Sequence, residues 1–282
     1  MLIANIKKSD ADIIISTRVY LNNLVSAYAK KNVLKIGWEH NHHRRSVKNI
    51  NEVVASSINL DKMVFVSNSL KKWYEREYKV RRINTEAIFI PNFLETIPNR
   101  ISKLESDNFI AVGRLSKEKG FLDLVKVFNI MYSENKNIHL DIVWDGDEKN
   151  KIVALIHELN LEEVITIHGF QDKDYINRLY EKSSIYLMTS FTESFGLTLI
   201  EAMSYGLPCI SYTSAEGANE IIENTYNGYL IENRDMVAMA SAALNLLADK
   251  KRLREMGANA RETSKKYDVR TIEKDWLDIL KR

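Results

Sequence analysis

The chain has 282 residues, with 40 Lys and Arg against 38 Asp and Glu, 45% hydrophobic residues and 28% charged, a length that suits two ordinary domains and a balance that excludes disorder. Its single cysteine, Cys209, reads as a small buried hydrophobe with no disulfide or thiol chemistry, and three prolines without a low-complexity tract argue against long linkers. No apolar run reaches the ~18 residues of a membrane span and no export signal precedes Ala4, so a cytoplasmic protein is expected.

In chain order, short apolar runs near residues 13–16, 33–37, 63–67 and 87–90 alternate with helical stretches, the period of a doubly wound α/β sheet. The second run leads into Trp38-Glu39-His40-Asn41-His42-His43. Three histidines within four positions suggest a metal, but the spacing is poor for one site and no acidic or cysteine cluster accompanies them; a polar surface loop is the alternative. Residues 69–82, SLKKWYEREYKVRR, interleave Trp73, Tyr74 and Tyr78 with basic residues. They are the densest part of a basic half, since residues 1–100 hold 17 Lys and Arg against 9 Asp and Glu, a balance of +8, and residues 101–282 hold 23 against 29, a balance of −6. Such a segment can lie on an anionic membrane, bind nucleic acid, or be a solvated helix end and loop. Pro91-Asn92-Phe93 ends this unit, and residues 94–107 are polar enough for an interdomain hinge.

The next strand runs into AVGRLSKEKG, which holds Gly113, Arg114, Lys119 and Gly120. The glycines bracket a loop that lets backbone approach a ligand, Arg114 offers a forked donor and Lys119 a point charge; the alternative is a charged turn before a helix. Asp145-Gly146-Asp147 lies between a strand predicted over 139–144 and a helix from about Glu148. Its acids suit a divalent cation, and equally a turn with helix N-terminal charge. His168-Gly169-Phe170 follows.

Residues 184–188 read as a buried strand and 197–205 as a helix ending at Gly206, with Pro208 blocking continuation. The loop between them lies at a strand's carboxyl end, where open parallel sheets bind ligands. The free amides of Gly196, Leu197 and Thr198 make a phosphate site there. Glu193 and Glu201, with seven residues between them, flank it. A diphosphate would repel Glu201, so its expected partner is a neutral diol such as a ribose, and Glu193 then faces sugar hydroxyls. The plainer alternative has Glu193 stabilising the helix start and Glu201 solvated. Glu220-Ile221-Ile222 and Asn227-Gly228 come next, then helices near 236–247, 252–265 and 269–280, the last with Trp276, Leu277 and Leu280 as its apolar stripe.

Taken in order from about Asn108 to Gly228, these motifs resemble the family-four retaining glycosyltransferases, whose GT-B fold has two Rossmann-like domains. That family's signature is a Glu, seven residues, a second Glu, a small-residue helix and Gly-x-Pro. It is matched here by Glu193, Glu201, Ala202 and Gly206-Leu207-Pro208. Trp144 and Asp147 depart from it, where the family often has Gly-x-Gly-Pro. The resemblance implies an acceptor-side domain over 1–98, a nucleotide-sugar domain over 99–266, and a helix over 267–282 returning to the first. Relatives begin with further strands and a Gly-rich loop, so the first domain is expected to be incomplete, with an exposed sheet edge that invites association.

By the same resemblance, Arg114 and Lys119 bind the donor diphosphate, Gly113 and the run Ser194, Phe195, Gly196, Leu197 and Thr198 line its site, and Phe170 lies near the base. Glu193 contacts the transferred sugar, Glu201 the ribose and His40 the reacting sugar, while His168 supports the base pocket. Cations and oriented amides, with no metal and no cofactor, would hold the charge of the leaving nucleotide. The implied activity is transfer, with retention, of a hexose or N-acetylhexosamine from a uridine-linked nucleotide diphosphate donor to a glycan or lipid-linked glycan in surface polysaccharide synthesis. Lipid-linked acceptors favour membrane contact at the inner face over nucleic acid for residues 69–82. The alternatives are an inactive nucleotide-sugar-binding fragment, one half of a split transferase and, last, a nucleic-acid binder.

Overall fold

The computed structural model describes residues 1–41 and 46–281, so His42 and His43 lie outside the described residues. The chain divides into two compact units: Met1–Asn92 together with the chain from Arg270 on, and Phe93–Val269.

The first unit is built on a parallel sheet of four strands, β1 (Ile13–Ser16), β2 (Leu34–Glu39), β3 (Lys62–Phe65) and β4 (Glu86–Phe89), in spatial order β1-β2-β3-β4. Met63 and Phe65 pack with Val25, Val53, Val54, Leu70, Tyr74 and Tyr78 in its core. The helix Asn68–Arg81 is capped by Ser67, whose hydroxyl accepts from Leu70 N at 3.4 Å, and it buries Leu70, Tyr74 and Tyr78 at the i, i+4, i+8 spacing of one helix face. Two of the three rings expected at a membrane surface are therefore core. Tyr74 is 1% exposed and stacks on Phe65 at 4.7 Å, and Tyr78 Oη lies 2.5 Å from Ser57 Oγ. Lifting either ring out would forfeit about 1.5–3 kcal/mol of burial. Trp73 and the basic residues occupy the outer face.

The helix Leu2–Lys8, too short to show periodicity in the sequence, adds Ile6 to the same core. Near the other terminus, Trp276 meets Trp38 edge-on at 4.7 Å and Lys62 Nζ donates to the Ile279 carbonyl at 2.7 Å. The inward stripe of that helix is Ile272, Trp276 and Ile279–Leu280; Leu277, expected on it, is 50% exposed because it falls a quarter-turn past Trp276.

The second unit has six parallel strands, β5 (Asn108–Val112), β6 (His139–Val143), β7 (Ile165–Ile167), β8 (Ile185–Met188), β9 (Cys209–Tyr212) and β10 (Gly228–Ile231), in order β10-β9-β8-β5-β6-β7. Every residue of β8 and β9 is buried, as in a sheet covered on both faces, and burial pushes the Cys209 thiol up. Residues 94–107, expected as a hinge, belong to this unit. Leu94 N donates to Tyr267 O at 2.7 Å, Val269 N donates to Leu94 O at 3.0 Å, and Ser102 Oγ donates to Ser183 O at 2.5 Å. The division thus falls after Asn92 rather than after residue 98. The strand order reverses between β5 and β8, which puts the loops that follow these two strands at the topological switch point. Among the described residues no helix is long and apolar enough to cross a membrane.

Candidate functional site: a polar cleft at the switch point

Gly113 N donates to Val143 O at 3.1 Å, which continues β5 by one residue and turns the chain at Arg114. The loop closes in a short turn, Lys117–Lys119, and Gly120 takes the left-handed conformation, φ 68°, ahead of the helix Phe121–Glu134. A Cβ on Gly120 would collide with the Thr189 carbonyl oxygen, so this glycine serves the close packing of two loops. A Cβ on Gly113 would meet only ordinary contacts, the nearest 3.8 Å away, which leaves open space on the cleft side.

From β8 the chain runs through Thr189 to Gly196, φ 99°, which starts the helix Leu197–Ser204 with no side-chain cap. Leu199 N already donates to Gly196 O at 2.9 Å, and among the described residues the amides of Leu197 and Thr198 have neither an intrahelical acceptor nor a capping oxygen. Thr198 is fixed from below, its Oγ1 2.8 Å from the buried Tyr186 hydroxyl, which also reaches the Val112 carbonyl at 3.1 Å.

These elements border a cleft of about 690 Å³, in the size range of a small-molecule site. Gly113, Arg114, Lys119, Phe170, Leu197, Thr198 and Glu201 all line it. Lys119 Nζ forms an ion pair with Glu193 Oε2 at 2.5 Å, both side chains largely buried. Arg114 is exposed, and among the described residues its guanidinium has no partner. Burial pushes the Glu201 carboxyl up to about 7, against the pull of Lys173 and with the push of Glu95. No side-chain or backbone donor reaches its carboxylate among the described residues.

Not every residue expected in the site borders the cleft. Glu193, which reaches the site through Lys119, and Ser194 are half-buried and Gly196 is buried, and none of the three is among the residues that line the cleft. Phe195 is 3% exposed, its ring edge-on to Tyr267 at 5.4 Å; an apolar side chain of that size gains more from the core than from a polar cleft. His40 belongs to the first unit. It is half-buried with its ring 4.3 Å from Trp38, and burial lowers its pKa below the ordinary 6.5 while a hydrogen bond that the ring donates to Asn92 opposes the shift.

At the far end of the cleft Phe170 is 68% exposed and meets Trp144 edge-on at 4.8 Å. Trp144 holds φ 116°, a strained value for a bulky residue, secured by its N–H donating to Gly169 O at 2.9 Å. His168 braces this turn, Nε2 2.7 Å from Asp141 and Nδ1 3.0 Å from Tyr175 Oη. Asp145 serves its own turn, accepting from Gly146 N at 2.8 Å and pairing with Lys149 at 2.9 Å, the local role that the sequence left open for it. Sequence reasoning missed Trp144 as a wall of the cleft, along with Lys173 and Glu95, which face Glu201. Only the position of Trp144 at a strand's carboxyl end pointed to it.

The arrangement offers two cations and uncapped amides to an anion, aromatic edges to a flat ring, and an unpartnered carboxylate to hydroxyls. Residues 95–263 match the family model of the glycosyl transferases group 1. An uncharacterised glycosyltransferase of Haemophilus influenzae is 29% identical over 259 residues, 90% of this chain and 71% of that protein. The poly(glycerol-phosphate) alpha-glucosyltransferase of Bacillus subtilis is 25% identical over 86% of this chain, which spans 36% of that enzyme. The crystal structure of the pneumococcal O-GlcNAc transferase GtfA in complex with UDP and GlcNAc superimposes with a TM-score of 0.84 at 20% identity, over 99% of this chain and 58% of that one. With more than half its length covered by the family model, the chain belongs to the group 1 glycosyl transferases.

Proposed function

We propose that the chain transfers a hexose or N-acetylhexosamine, with retention and without a divalent metal, from a uridine-linked nucleotide diphosphate donor to a glycan or lipid-linked glycan in surface polysaccharide synthesis. The observation that carries this is the convergence of Arg114, Lys119, the uncapped helix start at Leu197 and Glu201 on one cleft. The diphosphate takes the cations and amides, the ribose diol donates to Glu201, the base lies against Phe170, and Glu193 orients the sugar. In the chemical step the acceptor oxygen bonds to the anomeric carbon on the face from which the phosphate leaves. The bond between that carbon and the β-phosphate oxygen breaks with its electron pair on the phosphate, and the hydroxyl proton passes to the same oxygen. Fixed cations and amides are most effective where charge gathers on the departing diphosphate. His40, its protonated form disfavoured by burial, is assigned a hydrogen bond to the sugar. A UDP relative and an alpha-glucosyl relative support the choice of base and stereochemistry.

Lys119→Ala should lower turnover of UDP-sugars by about 10²–10³; undiminished turnover overturns the assignment. For a lipid-linked acceptor, Trp73 with Lys72, Arg76 and Lys79 offers the membrane-facing surface, and K72E/R76E should then reduce sedimentation with anionic vesicles. A second reading, binding of the donor without transfer, is favoured by the four-stranded first sheet, whose edge strand β1 leaves Ile15 43% exposed and open to pairing with a further protein segment. Calorimetry with UDP beside a transfer and hydrolysis assay separates the two: binding with neither reaction supports the second.

A further inference from the structure

We propose that Arg234 is the positioning residue of the donor site: it clamps the turn Thr189–Phe191 against the loop 117–120 and so sets the Lys119–Glu193 ion pair. The inference rests on the proposed reading of the cleft.

Arg234 sits outside the cleft, in the short turn Glu232–Arg234 after β10, with a left-handed backbone, φ 55°, that non-glycine residues seldom adopt. Both terminal nitrogens of its guanidinium are used. Nη1 donates to Ser190 O at 3.1 Å and to Ser214 Oγ at 2.9 Å, and Nη2 donates to Thr189 O at 3.0 Å and to Asp123 Oδ2 at 2.6 Å. The plane is enclosed by Phe191, 3.6 Å from its ring centre, and Tyr212, 4.5 Å away. One side chain therefore joins the first turn of the helix Phe121–Glu134, the loop after β8 and the end of β9. A planar fork takes two successive carbonyls, a hydroxyl and a carboxylate in one fixed geometry, four acceptors where an ammonium offers three donors.

The turn it grips is stitched on its other side to the phosphate loop. Thr189 Oγ1 lies 3.2 Å from Lys119 O and 3.0 Å from Gly120 O, and Phe191 N donates to Glu118 O at 2.7 Å. Lys119 belongs to one of these stitched segments, and Glu193 follows the other by two residues. Their 2.5 Å contact spans 74 positions of sequence with no shared element behind it, so its geometry is inherited from the clamp. Small displacements of such a pair cost turnover more than they cost binding.

The test uses Arg234→Lys, which keeps the charge, and Arg234→Gly, which removes the side chain while easing the left-handed backbone. With UDP-sugar donors, both should lower kcat tenfold or more. In a Glu193→Gln background, Arg234→Gly should cost less than twofold, because the pair through which it acts is already gone. Equal losses in the two backgrounds, kcat unchanged, or losses in both variants that follow a fall of the melting midpoint below the assay temperature would each overturn the proposal. A second measurement needs no turnover. Trace acetylation of Lys119, read by mass spectrometry, should rise several-fold in R234G and in E193Q, and no further in the double variant; unchanged labelling in R234G also overturns it. If the wild type turns over no UDP-sugar, the proposed function fails while the labelling still decides the role of Arg234.

Discussion

Each unit of the molecule carries a carboxylate whose pKa burial has raised, and the two differ in what satisfies them. Glu39, at the end of β2 and 2% exposed, accepts from Asn41 N at 2.7 Å and Asn41 Nδ2 at 3.0 Å, and these bonds pull back against the upward push of burial. Glu201, half-buried on the helix Leu197–Ser204, has no such donor among the described residues, and it borders an open cleft. A buried acid that the fold itself satisfies is part of the fold. One held at a cleft without a donor keeps its lone pairs for a ligand, and this is where desolvation is worth its cost. In the first unit the acid at a strand end is closed by its neighbour Asn41, whereas the cleft of the second presents Arg114, the helix-start amides and Glu201.

If that contrast is right, substitutions divide by unit. The largest effect belongs to Lys119→Ala, with a loss of about 10²–10³ in turnover, the usual consequence of removing one group that holds transition-state charge; a loss under tenfold would place the diphosphate elsewhere. Next comes the matched pair Glu201→Ala and Glu39→Ala. Loss of Glu201 should weaken donor binding by about 1.5–3 kcal/mol, the worth of hydrogen bonds to a charged group, and should not lower the melting midpoint, since an unsatisfied buried carboxylate is removed. Loss of Glu39 should instead cost about 1–3 kcal/mol of stability and leave UDP affinity as it was. Calorimetry and thermal denaturation on the same two samples read both halves. A Glu39 variant that lost UDP binding and kept its stability would break the comparison.

Smaller again is Phe170→Ala. An exposed ring gains little by lying against Trp144, so its removal should leave stability unchanged while costing about 0.5–1.5 kcal/mol of UDP affinity through the lost contact with the base. A uracil-free diphosphate competitor should show no change.

The strands of both units were legible because buried parallel strands are short apolar runs punctuated by turns, and the cleft's loops were legible because Gly113, Gly196 and the Glu193–Glu201 spacing are local. What escaped the sequence is contact across distance. The pairing of Lys119 with Glu193 and of Arg234 with Asp123 joins residues that no periodicity relates. Tyr74 and Tyr78 show the opposite failing. Their i, i+4 spacing with Leu70 marks a buried face, and Lys72 and Arg76 between them belong to the opposite, exposed face of the same helix. The resemblance places Phe195 in the site, whereas its ring, next to a tight glycine turn, anchors the loop in the core against Tyr267.

The smallest effect is also the one that bears most directly on Glu201. With its pKa pushed up to about 7 from an ordinary 4.5, the folded protein binds a proton between those values that the unfolded chain has released. The contribution of this group to stability is therefore full below pH 4.5 and declines as pH rises toward 7, the reverse of a salt-bridged acid. A ribose diol reverses the preference, because its two hydroxyls donate to the ionised form and draw the pKa down. UDP affinity should then increase with pH, by about threefold between pH 6.5 and 7.5, and level off above 8, as expected for a single group titrating near 7 in the free protein and lower in the complex. Glu201→Gln should flatten the profile. The same slope in that variant would assign the titration to another group and leave Glu201 to the fold, as Glu39 is.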